Sequence, residues 1–365
     1  MSARITAIYR VHDSAANIEA RAKTIAVEQS VEMPVAAITK RSVLENIVGA
    51  VENIRDVGGG TFEVSIGLAV ATTGLEAGQM LNMLFGNSSL HADMVLHDAI
   101  FPDEVVRAFA GPHHGIEGLR KRVGATRRAL TCSALKPQGL TPAELAELGA
   151  KFTRGGIDYI KDDHGLADQA CSPFAERVPA VAAAVRDAQG KVPTRYLPSL
   201  SGNLDQLRRQ IEIVRKAELD GVLIAPMIVG VASFHTLVRE NPDIAFMAHP
   251  AMAGAARIAP ALLLGKLFRL FGADATVFPN HGGRFGYTPD ECRALAHAAL
   301  APWDGIRPTV PVPAGGMTTD RVPEMLDFYG RDVILLIGGA LLAAAPRLTE
   351  ETKAFVDAVH AHGKG

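Results

Sequence analysis

Gly155-Gly156-Ile157-Asp158-Tyr159-Ile160-Lys161-Asp162-Asp163-His164 is the stretch whose reading decides the fold. Ile157 to Ile160 is a short apolar run that predicts a buried strand. It stops at a lysine, two aspartates and a histidine. Charged residues bunched at the C-terminal end of a strand are where a (β/α)8 barrel keeps its chemistry. An ordinary strand end with a solvated polar turn is the other reading, and the surrounding chain separates the two.

Upstream, Ala129–Leu135 predicts a strand, with Lys136-Pro137-Gln138-Gly139-Leu140 as its exit loop. Thr141-Pro142-Ala143-Glu144 then opens a helix with a capping box and proline in its first turn. Downstream the rhythm repeats. Helices are expected over Pro173–Ala188, Asn203–Ala217, Pro260–Phe271 and from Thr288, with strands at Thr194–Leu200, Gly221–Ala225, Ile244–His249, Ala275–Pro279, Thr309–Pro313 and Val333–Ile337. Eight strands alternating with helices predict an α/β fold, a closed parallel TIM barrel with helices outside. Before it, Ile5–Val11 alternates like a strand with one wet face. Helices are expected over Ala15–Glu28 and Leu75–Gly86, and a short extended segment at Thr61–Ile66. The turn-rich Ala110–Gly115 leads to a boundary that places an N-terminal α+β domain over 1–118 and the barrel over 119–365.

Composition agrees with a large folded chain: 365 residues, 48% of them apolar, with Gly 35 and Pro 21 supplying many short connections. A net charge of −2 with no basic block argues against nucleic acid and anionic membranes as partners. Cys132, Cys171 and Cys292 are few, odd in number and far apart, which suits a reducing compartment rather than a disulfide framework or zinc spacing. No signal-like segment opens the sequence and no apolar run approaches the ~20 residues of a membrane helix. The expectation is a soluble, cytoplasmic protein.

In a barrel the strand ends share one rim. Here they bring together Lys136, the Lys161–His164 block, Ser199 to Gly202, Pro226, His249, Asn280 to Arg284, Ala314-Gly315-Gly316 and Gly338-Gly339. Loops after the last two strands of a barrel commonly offer backbone N–H groups to a phosphate, so the two glycine pairs are the candidate phosphate site.

These motifs resemble the RuBisCO large-subunit superfamily, and within it the form IV RuBisCO-like proteins that do not fix carbon dioxide. The resemblance is carried by Phe109-Ala110-Gly111-Pro112-His113-His114-Gly115-Ile116, Leu135-Lys136-Pro137-Gln138-Gly139-Leu140, the Arg154–Asp163 block, His249, Ala314-Gly315-Gly316 and Ile337-Gly338-Gly339. It covers essentially the whole chain. It implies a ferredoxin-like N-terminal domain and a homodimer whose subunits share active sites, with Glu28 and Asn87 reaching across to the neighbouring subunit. It also implies Mg2+ held by a carbamylated Lys161 and by Asp163, with Lys136 exchanging a proton with an enediolate. Hard Mg2+ prefers such oxygen ligands. The phosphate would sit on Ala314, Gly315, Gly316, Gly338 and Gly339.

Four departures from the family pattern matter. His164 stands where the third metal ligand is usually glutamate; imidazole suits transition metals better, so another divalent ion or a proton-transfer role is open. Pro250 and Val277 replace the arginine and histidine that hold a second phosphate, which predicts a mono-phosphorylated substrate. Arg284 replaces the lysine that steadies carbon dioxide, and a planar fork is no equivalent of a point charge. The lysine-proline loop is one residue shorter, with Gln138 near a second lysine's position.

The resulting expectation is metal-assisted enolisation, of the isomerase or enolase type, on a ketose phosphate such as a methylthioribulose phosphate. Lys136, Lys161, Asp163, His164 and His249 would carry it. Decarboxylation or C–C hydrolysis of a branched 3-oxo sugar-acid phosphate uses the same enolate, and His164 and Arg284 would fit a site that must hold its carboxylate. A non-catalytic scaffold is the third reading. Against it, so many charges at a barrel mouth are costly unless they bind something. His12, His113 and His114 receive no role.

Overall fold

The computed structural model describes residues 3–362, which divide into two compact units. The first runs up to Ala110 and takes in Met252–Leu263 and Asp304–Ile306. Strand β1 (Arg4–His12) is followed by a helix over Ile18–Glu28, strands β2 (Ala50–Gly58) and β3 (Thr61–Ala69), a helix over Ala77–Phe85 and strand β4 (Met94–Ile100). The sheet is antiparallel in the order β2-β3-β1-β4, a β-α-β-β-α-β arrangement. Along β1, Ile5, Ala7, Tyr9 and Val11 are buried in strict alternation, and Tyr9 Oη donates to Leu84 O at 2.6 Å, fastening the sheet to a helix. Strands β2 and β4 were not anticipated. β2 is an edge strand wet along most of its length, so burial imposes no alternation on its sequence.

The second unit holds nine parallel strands: β5 (Leu130–Leu135), β6 (Tyr159–Asp162), β7 (Arg195–Leu197), β8 (Ser199–Leu200), β9 (Gly221–Ile224), β10 (Ala245–Ala248), β11 (Ala275–Pro279), β12 (Val310–Ala314) and β13 (Ile334–Leu336). They are hydrogen-bonded in the order β7-β6-β5-β13-β12-β11-β10-β9-β8. The ends of that order are one strand interrupted at Pro198. β7 pairs with β6, β8 pairs with β9, and Pro198 O accepts from Leu223 N at 2.9 Å. The expected strand over Thr194–Leu200 therefore exists in two pieces, because proline has no N–H for the ladder and the chain changes partner there. The barrel closes at this point.

Inside, Leu130, Tyr159, Leu223, Met247, Val277, Val312 and Leu336 form one apolar cluster with Ile116 and Leu119 of a short helix, Gly115–Arg122. Tyr159 Oη donates to Leu119 O at 2.8 Å. That helix floors the barrel at its N-terminal end. Asp274 holds its start, accepting from His114 N at 2.7 Å and Gly115 N at 2.9 Å. His113 and His114 thus belong to the floor, away from the functional rim.

Outside, helices over Pro142–Arg154, Phe174–Ala188, Leu204–Lys216, Val231–Glu240, Pro289–Leu300, Val322–Tyr329 and Leu348–His362 supply the covering layer. Three start with complete capping boxes, at Thr141/Glu144, Asn203/Gln206 and Thr288/Glu291. The apolar segment after Pro260 is wound as a π-helix over Ala261–Leu267 before a short α-turn, rather than as the α-helix expected. Gly265 lies in it, and a Cβ there would sit 2.8 Å from Ala298 Cβ, so the bare backbone packs directly on the neighbouring helix. No described helix is long and apolar enough to cross a membrane.

Candidate active site at the barrel rim

The strand expected over Ile157–Ile160 is observed at Tyr159–Asp162, two residues on. It continues through the charged residues because each charge finds a partner. Side chains alternate along a strand. Tyr159 and Lys161 accordingly face the interior, whereas Asp162 faces the helical layer. There Asp162 accepts from Arg177 Nε at 3.2 Å, Tyr196 Oη at 2.7 Å and Ser199 N at 3.0 Å. Asp162 is structural.

Asp163 is the rim carboxylate. Its Oδ2 lies 2.8 Å from Lys136 Nζ, at the end of β5. Its Oδ1 accepts from Gly165 N at 3.0 Å and lies 3.4 Å from His164 Nδ1. Burial alone would raise this carboxyl, but the Lys136 hydrogen bond, the Gly165 N–H and the charges of Lys136 and Lys161 outweigh it and hold it at about 2. It is an anion throughout the physiological range.

Lys161 is buried in the mouth, with Nζ donating to Asp162 O at 3.0 Å. Burial pulls its pKa below the usual lysine value and Lys136 adds to that, against the pull of Cys132, Asp163 and Asp162. Beneath it Cys132 is buried and its thiol is pushed up to about 12, chiefly by burial, so it is a packing residue rather than a nucleophile.

His249 follows β10 and stacks on His164, the rings 4.2 Å apart and inclined by only 6°. Its Nδ1 accepts from Ala251 N at 3.1 Å, which leaves the ring hydrogen on Nε2. Burial, then the positive charge of Lys161 and the neighbouring His164, drive it down to about 2. His164 is likewise lowered, first by burial, then by Lys161, Lys136 and Arg284 against Asp163. The rim therefore carries two neutral imidazoles, one carboxylate and two lysines.

Ala314 ends β12, and Gly315 and Gly316 turn away from it with φ of 86° and 66°. No atom lies within 4 Å of where a Cβ on Gly338 or Gly339 would be, so that backbone is open to a ligand. Val277 lines the barrel interior. Beside Lys136 a cleft of about 470 Å³ runs outward past Pro137 and Leu148 to Leu342. Glu28 and Asn87 meet in the first unit, where Asn87 Nδ2 donates to Glu28 Oε1 at 3.0 Å and to Glu32 Oε1 at 3.1 Å.

As to a metal, no group of three His, Cys, Asp or Glu side chains converges among the described residues. The encoded donors are one carboxylate, Asp163, and one imidazole, His164. A hard cation fits this set once Lys161 supplies anionic oxygen as a carbamate, which a buried, readily neutral amine suits. Sequence reading gave no role to Phe285, Glu32 or the side chain of Asn280, because their partners lie in other segments. The one local signal was an aromatic following a Gly-Gly-Arg loop.

The chain matches the family of the ribulose bisphosphate carboxylase large chain, catalytic domain, over residues 115–345. It is 59% identical over 362 residues to a 5-methylthioribulose-1-phosphate isomerase of Rhodospirillum rubrum, covering 98% of this chain and 97% of that protein. It is 55% identical to ribulose bisphosphate carboxylase-like protein 1 of Rhodopseudomonas palustris, over all of both chains. Among solved structures, a Rubisco-like protein from Rhodopseudomonas palustris superposes with a TM-score of 0.94 at 52% identity, covering 100% of this chain and 99% of that one.

Proposed function

Since this chain belongs to the RuBisCO large-chain family, we propose that it is a non-carboxylating, RuBisCO-like enzyme of the isomerase or enolase type. Its substrate on this reading is a mono-phosphorylated ketose such as a methylthioribulose phosphate. The observation that carries the reading is the convergence of Lys136, Lys161, Asp163, His164 and His249 on one barrel rim, beside a glycine turn suited to phosphate.

Enolisation needs a group to move a proton beside a carbonyl and a donor for the oxygen that gains charge. Burial favours the neutral form of His249, whose Nε2–H can donate to a substrate oxygen. Lys136, half-exposed at the mouth, is placed to exchange the proton. His164, neutral and half-exposed, would relay a proton only in a site where it does not ligate the metal. The carbamate of Lys161, with Asp163 and His164, would hold one divalent ion, Mg2+ or a softer metal that accepts imidazole. That ion would polarise the substrate carbonyl. Pro250 and Val277 suit an uncharged far end. Glu28 and Asn87 would complete the site of a second copy in a homodimer.

The test is turnover in D2O with bicarbonate and Mg2+, followed by proton NMR. Deuterium entering the methylthio-ketose phosphate supports the proposal. Fragments from a branched 3-oxo acid phosphate, with the ketose untouched, would replace it by C–C cleavage.

A further inference from the structure

In the first unit the Glu28–Asn87 pair has a third member, Glu32, that no motif marks. Gln29, buried just past the helix over Ile18–Glu28, fixes the loop that carries Asn87. Its Nε2 donates to Met83 O at 2.9 Å and its Oε1 accepts from Ser88 N at 3.2 Å, so the backbone on both sides of Asn87 is tied to the helix end. The chain then turns back on itself. The N–H groups of Ser30, Val31 and Glu32 all donate to Val27 O, at 3.1, 2.9 and 3.0 Å. Glu32 closes this turn with a left-handed backbone, φ 52°, a conformation open to glycine and costly for other residues.

The turn delivers the Glu32 carboxylate to Asn87. Asn87 Nδ2 lies 3.0 Å from Glu28 Oε1 and 3.1 Å from Glu32 Oε1. An amide nitrogen carries two hydrogens and a carboxylate only accepts, so both hydrogens are taken up within the cluster. The flipped amide would aim Oδ1 at two anionic oxygens, so charge decides its orientation. Among the described residues nothing donates to Asn87 Oδ1. With Glu28 alone, Asn87 would keep a free N–H beside that oxygen and could meet a ligand as donor or acceptor. With Glu32 it is an acceptor only.

We propose that Glu32 is a positioning residue, which takes up the second hydrogen of Asn87 and so makes Asn87 Oδ1 the acceptor for a hydroxyl of the substrate. The inference rests on the reading that Glu28 and Asn87 complete a second copy's site for a ketose phosphate. Acceptor oxygens gathered in one corner favour an O–H donor and disfavour a carboxylate or a second phosphate. A polyhydroxy ketone offers such donors along its chain.

The test is made on the full-length protein with the methylthio-ketose phosphate and two analogues, each lacking one chain hydroxyl. Wild type should prefer the complete substrate to one of the two by about tenfold or more in kcat/KM, and Glu32→Gly should cut that preference to about threefold or less. Glycine suits the left-handed turn, so this variant should melt at about the wild-type temperature. Glu32→Gln keeps an acceptor and should retain most of the preference. In spectra of protein labelled with nitrogen-15 asparagine, the Asn87 side-chain signal, identified by its loss in Asn87→Ala, should shift in Glu32→Gly. A preference that Glu32→Gly leaves unchanged overturns the proposal, as does an Asn87 signal that ignores the substitution. Lower activity that only follows a lower melting temperature, with the preference intact, makes Glu32 a structural residue and overturns it too. A shifted Asn87 signal in a protein whose wild type does not turn over the ketose leaves the orientation of Asn87 standing and removes the isomerase reading instead.

Discussion

Asp162 and Asp163 are neighbours in sequence whose carboxylates serve opposite sides of the barrel wall. Asp162 is bonded to Arg177 and Tyr196 in the outer layer, and Asp163 to Lys136 at the rim. Asp162→Asn would leave Arg177 as an uncompensated buried charge, at a cost of about 3–5 kcal/mol. Urea denaturation should reveal that loss. Asp163→Asn should instead leave the protein folded and lower kcat at least about a hundredfold. Equal loss of stability in the two variants would contradict this division of labour.

The Lys136–Asp163 pair gives a pH dependence of defined sign. Asp163 titrates at about 2 in the fold, below the ~3.9 of an unfolded aspartate. The pair's contribution is thus complete above about pH 4 and is lost as pH falls toward 2; it is on the order of 1–2 kcal/mol. Unfolding free energies of metal-free wild type and Asp163→Asn should converge over that window. A difference that stays constant down to pH 2 would deny that Lys136 holds the carboxylate.

Carbamate formation needs a neutral amine, and burial lowers the pKa of Lys161 in the direction that supplies one. Carbon-13 NMR with labelled bicarbonate should show one carbamate resonance that Lys161→Arg lacks. Its amplitude should rise with pH, with a midpoint below the ordinary lysine range. An active wild-type enzyme without that resonance at saturating bicarbonate would exclude the carbamate.

Two glycines of the proposed phosphate turns should respond differently to alanine. Gly316 has φ of 66° and a Cβ there would lie 2.8 Å from Gly283 Cα, so Gly316→Ala should cost about 1–3 kcal/mol of stability. Gly338 has φ of −107° and nothing within 4 Å of a Cβ. Gly338→Ala should change stability by less than about 0.5 kcal/mol yet raise KM for the phosphorylated substrate. Calorimetric melting with parallel kinetics separates the two, and a Gly338→Ala enzyme with unaltered KM would place the phosphate elsewhere.

The order of residues by itself determined the barrel and the membership of its rim. Strand, turn and capped helix recur from Leu130 onward, and parallel strands put Lys136, Lys161, Asp163, His249 and the glycine pairs at one end whatever their separation in sequence. Those signals are local: alternation, the Thr141 and Thr288 capping boxes, glycine after a strand. Tertiary structure alone decided that Asp162 faces outward, that Pro198 divides a strand between two partners, that His164 stacks on His249, and that Phe285 lies over Gly315. It also set the edge strand β2, whose wet residues carry no periodic mark. Each of these depends on the register between segments tens or hundreds of residues apart, and register is settled by burial and hydrogen bonding across the sheet, which no single stretch of sequence encodes.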